Sequence, residues 1–202
     1  MRDLFFDLVD VLELVFLDPL RYAEEIKEIP FAIAPVSNWL FSILAALSLA
    51  VGMSILSSPY TIATLSFLVF GFFANLVMFR FFPFFFGILA DYYVQRKGRM
   101  SKITYLLLYV RHSVVLFLLF TPIAILMQAL GFSGRGSGFY LLLLFLLLFG
   151  LNCARGIKFI YELKSRDSIL FAFYALGLSI LFPFLFNLYT ASSVLQSIAG
   201  GF

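Results

Sequence analysis

The chain is poor in the residues that carry chemistry. It holds one histidine, one cysteine and 11 acids. With His112 as the sole histidine, no metal site built on histidines can be assembled. Cys153 has no second cysteine to pair with; it sits in an apolar stretch and reads as packing. A lone Cys and a lone His, 41 positions apart, are weak grounds for a thiol nucleophile. No GxxxxGK[ST] run is present, so no phosphate-cradling loop of that kind exists. Gly134, Gly136 and Gly138 lack the preceding strand that a dinucleotide fingerprint requires. Neither a catalytic set nor a cofactor is expected. The acids avoid the long apolar runs, which removes the usual mark of proton-coupled transport.

What the chain has is oil. Of its 202 residues 63% are hydrophobic and 12% are charged, against about 45–50% and about 25% in soluble domains. There are 28 phenylalanines, read as bulky filler between helices and toward lipid. The expected fold is an all-α integral membrane protein: five transmembrane helices with an N-terminal amphipathic helical segment. Residues 1–30 form cytoplasmic acidic helices, 31–190 the membrane domain and 191–202 an exoplasmic tail. The acidic start does not resemble a signal peptide, so insertion is expected to use the first true span.

Asp3, Asp7, Asp10 and Glu13 recur at helical spacing on one face, with Phe5, Leu8, Leu12 and Phe16 elsewhere on the circumference. This segment is too short and too charged to span. Interfacial helices normally favour Lys and Arg, so docking on the rest of the protein is the better reading of an acidic one. Asp18-Pro19 reads as a cap and first residue of a second helix over 19–28, and Pro30 and Pro35 break the pattern. The spans are expected at about Val36–Leu56, Thr61–Ala90, Leu106 or His112 to Leu130, Phe139–Cys153 and Ile169–Tyr189. Trp39 sits near the entrance of the first, where its ring suits an interface. The second is too long for a hydrocarbon core of about 30 Å; it must tilt, kink at Pro83 or emerge early. Pro122 interrupts the third. A turn, GFSGRGSG at 131–138, precedes the fourth, which continues as an amphipathic helix to Lys164. Ser42, Ala46, Ala50 and Ser54 form a small-residue stripe that lets another helix approach closely; the alternative is a general abundance of small residues.

Five spans place eleven Lys and Arg on one side and one on the other, with Arg80 and Arg111 inside the spans. That asymmetry predicts a cytoplasmic N-terminus and an exoplasmic C-terminus. The cytoplasmic basic face comprises Arg96, Lys97, Arg99 and Lys102 in one loop, and Arg155, Lys158, Lys164 and Arg166 around another. Residues 1–30 carry eight acids and three bases, so they can dock across these loops; the loops can also meet anionic lipid headgroups. A basic group deep in a bilayer is a suspect for function. For Arg111 the plain reading is snorkelling to the interface, and for Arg80 that the membrane portion ends near it. The sharper reading is a polar cavity of Asn75, Arg80, Arg111 and His112 that binds a lipid headgroup or an anion. Expected partners are the lipid bilayer, anionic lipids in particular, and further copies of the chain or other membrane proteins, with no nucleic acid.

Pro19-Leu-Arg21-Tyr22, followed by Glu28-Ile-Pro30, resembles the short proline-bounded helix that precedes the first span in the Yip (Ypt-interacting-protein, or Rab-interacting) domain family. The aromatic second span running into the basic loop at 91–102 is similar. So are Tyr109 upstream of Thr121-Pro122, and Gly150 to Tyr161 before a basic turn and a last span. The resemblance covers about residues 15–190 and points to prokaryotic members. It implies a bundle of five membrane helices with a cytoplasmic N-terminus, in a bacterial cytoplasmic membrane. Eukaryotic members are implicated in vesicle traffic and small-GTPase interaction, but their Asp-Leu-x-Gly-Pro and Gly-Tyr signatures are not found here. The leading expectation is a non-enzymatic protein that organises membrane or scaffolds partners through its charged face. The alternative is a permease-like or accessory subunit of a lipid or small-molecule transporter with a polar site near Arg80.

Overall fold

A computed structural model of the chain describes residues 9–15, 19–26, 34–56, 62–132 and 134–180. These form helices joined by turns, with no strand among the described residues. In order they are α1 (9–15), α2 (Pro19–Glu25), α3 (Ala34–Leu56), α4 (Ile62–Gln95), α5 (Ile103–Ser113), a 3-10 segment (Val114–Leu119), α6 (Phe120–Ala129), α7 (Arg135–Tyr161) and α8 (165–180). Among the described residues four stretches are long and apolar enough to cross a membrane: Ala34–Leu56, Leu68–Gln95, Ile103–Ala129 and Gly136–Tyr161. The fifth expected span is described only as far as residue 180. The turn at 57–60, Asp18, Pro30, Pro183 and the tail lie outside the described residues.

The apolar surface has the arrangement lipid requires. Along α4, Phe70, Phe73, Val77, Phe81, Phe84 and Ile88 recur every three or four positions, and all are exposed. In water such a stripe would be an association hazard; in a bilayer it is ordinary. The opposite face turns Phe79 and Phe86 inward to meet Phe117, Phe120, Phe145 and Phe149 from the third and fourth spans. None of these six rings is more than 2% exposed. Neighbouring centroids lie 5.0–6.1 Å apart at tilted or edge-on angles, the geometry in which aromatic quadrupoles attract.

Pro122 does not break the third span at its own position. The helix instead tightens ahead of it, into the 3-10 segment, and resumes as α6. Proline has no N–H, so the carbonyl four residues earlier, on Leu118, loses its usual donor. Ser48 of α3 replaces it: its hydroxyl donates to Leu118 O at 2.9 Å. The Thr121 N–H donates back to Ser48 Oγ at 3.1 Å, and Thr121 Oγ1 donates to Ser48 O at 2.6 Å. Three bonds thus clasp α3 to the irregular part of the third span.

The bundle's ends are tied as well. Gly134 N–H donates to Leu56 O at 2.8 Å, joining the start of α7 to the end of α3. The expected glycine-rich turn is shorter than the sequence suggested, because α7 already begins at Arg135 and takes in Gly136 and Gly138. At Gly138 the glycine serves packing: an added Cβ would stand 3.2 Å from the Met53 sulfur. At the other end α7 runs without interruption to Tyr161, where Glu162 adopts a left-handed conformation (φ 56°) and stops it. The fourth span and its expected amphipathic continuation form one helix, which ends at Tyr161, three residues short of Lys164. The long second span also persists as one helix through the buried Pro83.

Replacing Ser48 by alanine should strand Leu118 O and Thr121 N–H in an apolar setting. We expect a loss of about 1–3 kcal/mol per unsatisfied group, read as a lower thermal midpoint in detergent, with Ser48→Thr retaining more stability than Ser48→Ala. Gly156→Ala should also destabilise, by about 1–3 kcal/mol, because its Cβ would stand 2.4 Å from the Tyr109 ring. Gly177→Ala, with nothing within 4 Å, should be neutral or stabilising in the same assay.

Candidate functional site

Two segments far apart in sequence meet at one end of the bundle. Lys102 Nζ donates to Ile160 O at 2.8 Å, and Arg99 Nη2 donates to Glu162 O at 3.2 Å. Lys97 pairs with Asp167 at 3.7 Å, and Lys102 with Glu162 at 3.8 Å. Beneath these bonds lies Asp91, 3% exposed. Its carboxylate accepts from Ser101 Oγ at 2.7 Å, from Gln95 Nε2 at 2.6 Å and from the Tyr161 hydroxyl. Asp91 therefore fixes the α4–α5 turn to the end of α7. Nothing about Asp91 in sequence announced this role, since Tyr161 lies 70 positions away. The result gathers all eight expected basic residues at one end; Arg96, Lys97, Arg99, Arg155, Lys164 and Arg166 are exposed there, and Lys102 and Lys158 half-buried.

A groove of about 360 Å³ opens beside the start of α3. Arg80 of α4 and Arg111 of α5 both line it, with Asn38 and Trp39 of α3. The Arg80 guanidinium lies 3.9 Å from the centre of the Trp39 ring, a cation–π contact. No acid pairs with either cation among the described residues. The buried Asn38 Oδ1 also has no hydrogen-bond partner among them. Two guanidinium groups lining one groove suit an anionic group, because planar guanidinium forks match carboxylate and phosphate oxygens, whereas the Asn38 oxygen, an acceptor, calls for a donor.

The expected cavity set separates here. Asn75 does not line the groove; five residues put it about 140° around α4 from Arg80. His112 turns away from Arg111 into the core, fully buried. Ser37 Oγ donates to Ala34 O at 3.2 Å and lies 2.7 Å from His112 Nε2, while the Tyr22 hydroxyl meets Nδ1. One neutral tautomer serves every group: Nε2–H donates to Ser37, and Nδ1 accepts from Tyr22. Burial, reinforced by nearby Tyr109, pushes the Tyr22 phenol well above its ordinary range, so it stays a donor. Tyr22 also stacks on Tyr109 at 5.2 Å. Tyr109 in turn donates to Asn152 Oδ1 at 3.0 Å, and Asn152 Nδ2 donates to Ser113 Oγ at 3.0 Å.

This chain of contacts explains how the N-terminal helices dock. Val11, Val15, Tyr22, Ala23 and Ile26 are buried in the common core, while Asp10, Glu13 and Glu24 face outward. Among the described residues no ion pair joins these acids to the basic loops; the docking is apolar, fixed in register by Tyr22 and His112. In the small-residue stripe, Ser42, Ala46 and Ala50 are buried and Ser54 is half-buried. A Cβ placed on Gly71 of α4 would lie 3.9 Å from that of Ala50. No group of acids, histidines and cysteines that could hold a metal occurs among the described residues. Comparison with known families, with characterised proteins and with solved structures finds no match.

Sulfate or phosphate should raise the thermal midpoint of the detergent-solubilised protein through the Arg80–Arg111 groove. Arg80→Gln should weaken that apparent affinity at least about tenfold, the scale of one hydrogen bond to a charged group. A midpoint shift of equal size in the Arg80→Gln, Arg111→Gln double variant would remove the groove from consideration.

Proposed function

We propose that this chain is a non-enzymatic, five-span membrane protein of the Yip type that organises anionic membrane, or holds partners against it, through its charged end. In this reading the charged end is cytoplasmic, and the membrane is the bacterial cytoplasmic one. One observation carries it: the centre of the bundle is filled with interlocked phenylalanine rings, while eight cations collect at one end. A centre packed with aromatic rings supports a role at the surface over one along a path between the described helices. Each Lys or Arg near an anionic surface contributes about 1 kcal/mol, and Asp91 and the inter-loop bonds hold them as one array.

A second reading, an accessory subunit of a lipid or small-molecule transporter, draws on the groove between Arg80 and Arg111. That groove lies at one end of α3 and is lined from α3, α4 and α5. It therefore fits a headgroup contact at an interface more readily than a translocation route.

Changing Arg96, Arg99, Lys164 and Arg166 together to glutamine should lower the enrichment of phosphatidylglycerol over phosphatidylcholine around the reconstituted protein. The expected loss is roughly fivefold per charge at low salt, less at physiological ionic strength. Unchanged enrichment would contradict the membrane-organising reading. Flux of an anion into proteoliposomes that Arg80→Gln abolishes would transfer the assignment to transport.

A further inference from the structure

A second and larger groove, of about 640 Å³, lies between the 3-10 segment, α7 and α8. That volume falls within the range of about 300–1,000 Å³ common to small-ligand sites. Its lining changes along its length. Nearest the α7–α8 turn stand Arg155 and Lys158 of α7, with Ser165 of α8 and the buried Ser168, whose hydroxyl already donates to backbone carbonyls at the start of α8. Deeper in the bundle the walls are Leu148 and Leu151 of α7, with Leu116 and Leu119 of the 3-10 segment. From Lys158 to Leu148 the axis of α7 advances about 15 Å. Asn152 and Ser113, which line the middle, are already bonded to each other.

Three features point to one kind of occupant. No acid pairs with Arg155 or Lys158 among the described residues, so the mouth has spare positive charge. Leu119, Leu148 and Leu151 are 41–47% exposed, so the apolar end opens sideways, toward where acyl chains would lie. The polar end sits at the charged end of the bundle, the level at which headgroups would stand. A soluble anion would use the mouth and leave the leucines idle; a neutral lipid would leave the cations idle.

We infer that this groove holds a single anionic phospholipid, its phosphate at Arg155, Lys158 and Ser165 and one acyl chain along the four leucines. The inference rests on the membrane-organising reading and makes it specific: beyond a diffuse attraction, one lipid is retained per chain.

The full-length protein, reconstituted in phosphatidylcholine nanodiscs, is titrated with phosphatidylglycerol carrying a diazirine in one acyl chain. Native mass spectrometry counts the retained lipid, and irradiation maps the chain. One phosphatidylglycerol per protein is expected, with crosslinks confined to residues 116–119 and 148–151 and none from a phosphatidylcholine probe with the same chain. Arg155→Gln with Lys158→Gln should weaken retention about thirtyfold, at about fivefold per charge. Leu151→Trp, which fills the apolar end and leaves the charges, should abolish the crosslink. Lys164→Gln with Arg166→Gln, equally basic but outside the groove, should lower the general enrichment yet leave the one retained lipid and its crosslinks in place. Label spread around the bundle, equal loss from the Lys164/Arg166 pair, or full competition by inorganic phosphate would overturn the groove site while leaving the broader reading intact. Equal enrichment of both lipids everywhere would overturn both.

Discussion

Hydrocarbon offers a backbone no substitute for a missing hydrogen bond, and this bundle is organised around one place where a bond is missing. Pro122 takes a donor from Leu118 O, and Ser48 supplies another from a different helix. With Thr121 bonding back to Ser48 twice, α3 has one register against the third span. Everything that α3 contributes elsewhere follows from that register. Three turns before Ser48, Ser37 reaches His112, and the next two residues, Asn38 and Trp39, reach the groove of Arg80 and Arg111. A helical slip of a single residue would turn these side chains by about 100° and dismantle both arrangements.

The charged end is held by a different principle. Its ion pairs are partly exposed, with Lys97 and Asp167 at 55% and 31% and Lys102 and Glu162 at 32% and 72%, and each such pair contributes little stability. The strength comes from hydrogen bonds to backbone carbonyls and from Asp91, which is buried and receives three side-chain donors. A buried carboxylate is tolerable when its lone pairs are occupied. The exposed pairs then need only orient the loops, and cations not used in orientation remain available to whatever lies outside.

Much of this was legible in the sequence, and the parts that were not share a cause. Hydropathy places α3 within two residues of its observed start, and Pro19 does begin α2. The basic loop also follows from where charge returns, although α4 runs past the expected end at Ala90 to Gln95. Hydropathy is blind to helix type, so the 3-10 segment at Val114–Leu119, made wholly of apolar residues, left no trace. Glycine has two uses, turning the chain and admitting a neighbour; the run at 131–138 suggested the first, whereas Gly138 serves the second. Adjacent residues on a helix point about 100° apart, so Arg111 and His112, neighbours in sequence, belong to a groove and to the core respectively. Asp91, Tyr22 and Asn38 owe their roles to partners that only the fold brings near, and no local pattern could have named them.

The distribution of polar groups bears on what such a molecule can do. Outside residues 1–30 there are three acids, Asp91, Glu162 and Asp167, and all three are engaged at the charged end. The bundle centre is aromatic and the opposite end is joined by a backbone bond from Gly134 to Leu56. The unmatched charge therefore lies on the perimeter, in two grooves of unlike chemistry. Beside Trp39 the walls bring two guanidinium groups together, which suits a compact anion. Between α7 and α8 a basic mouth leads onto leucines, which suits an anion with a tail.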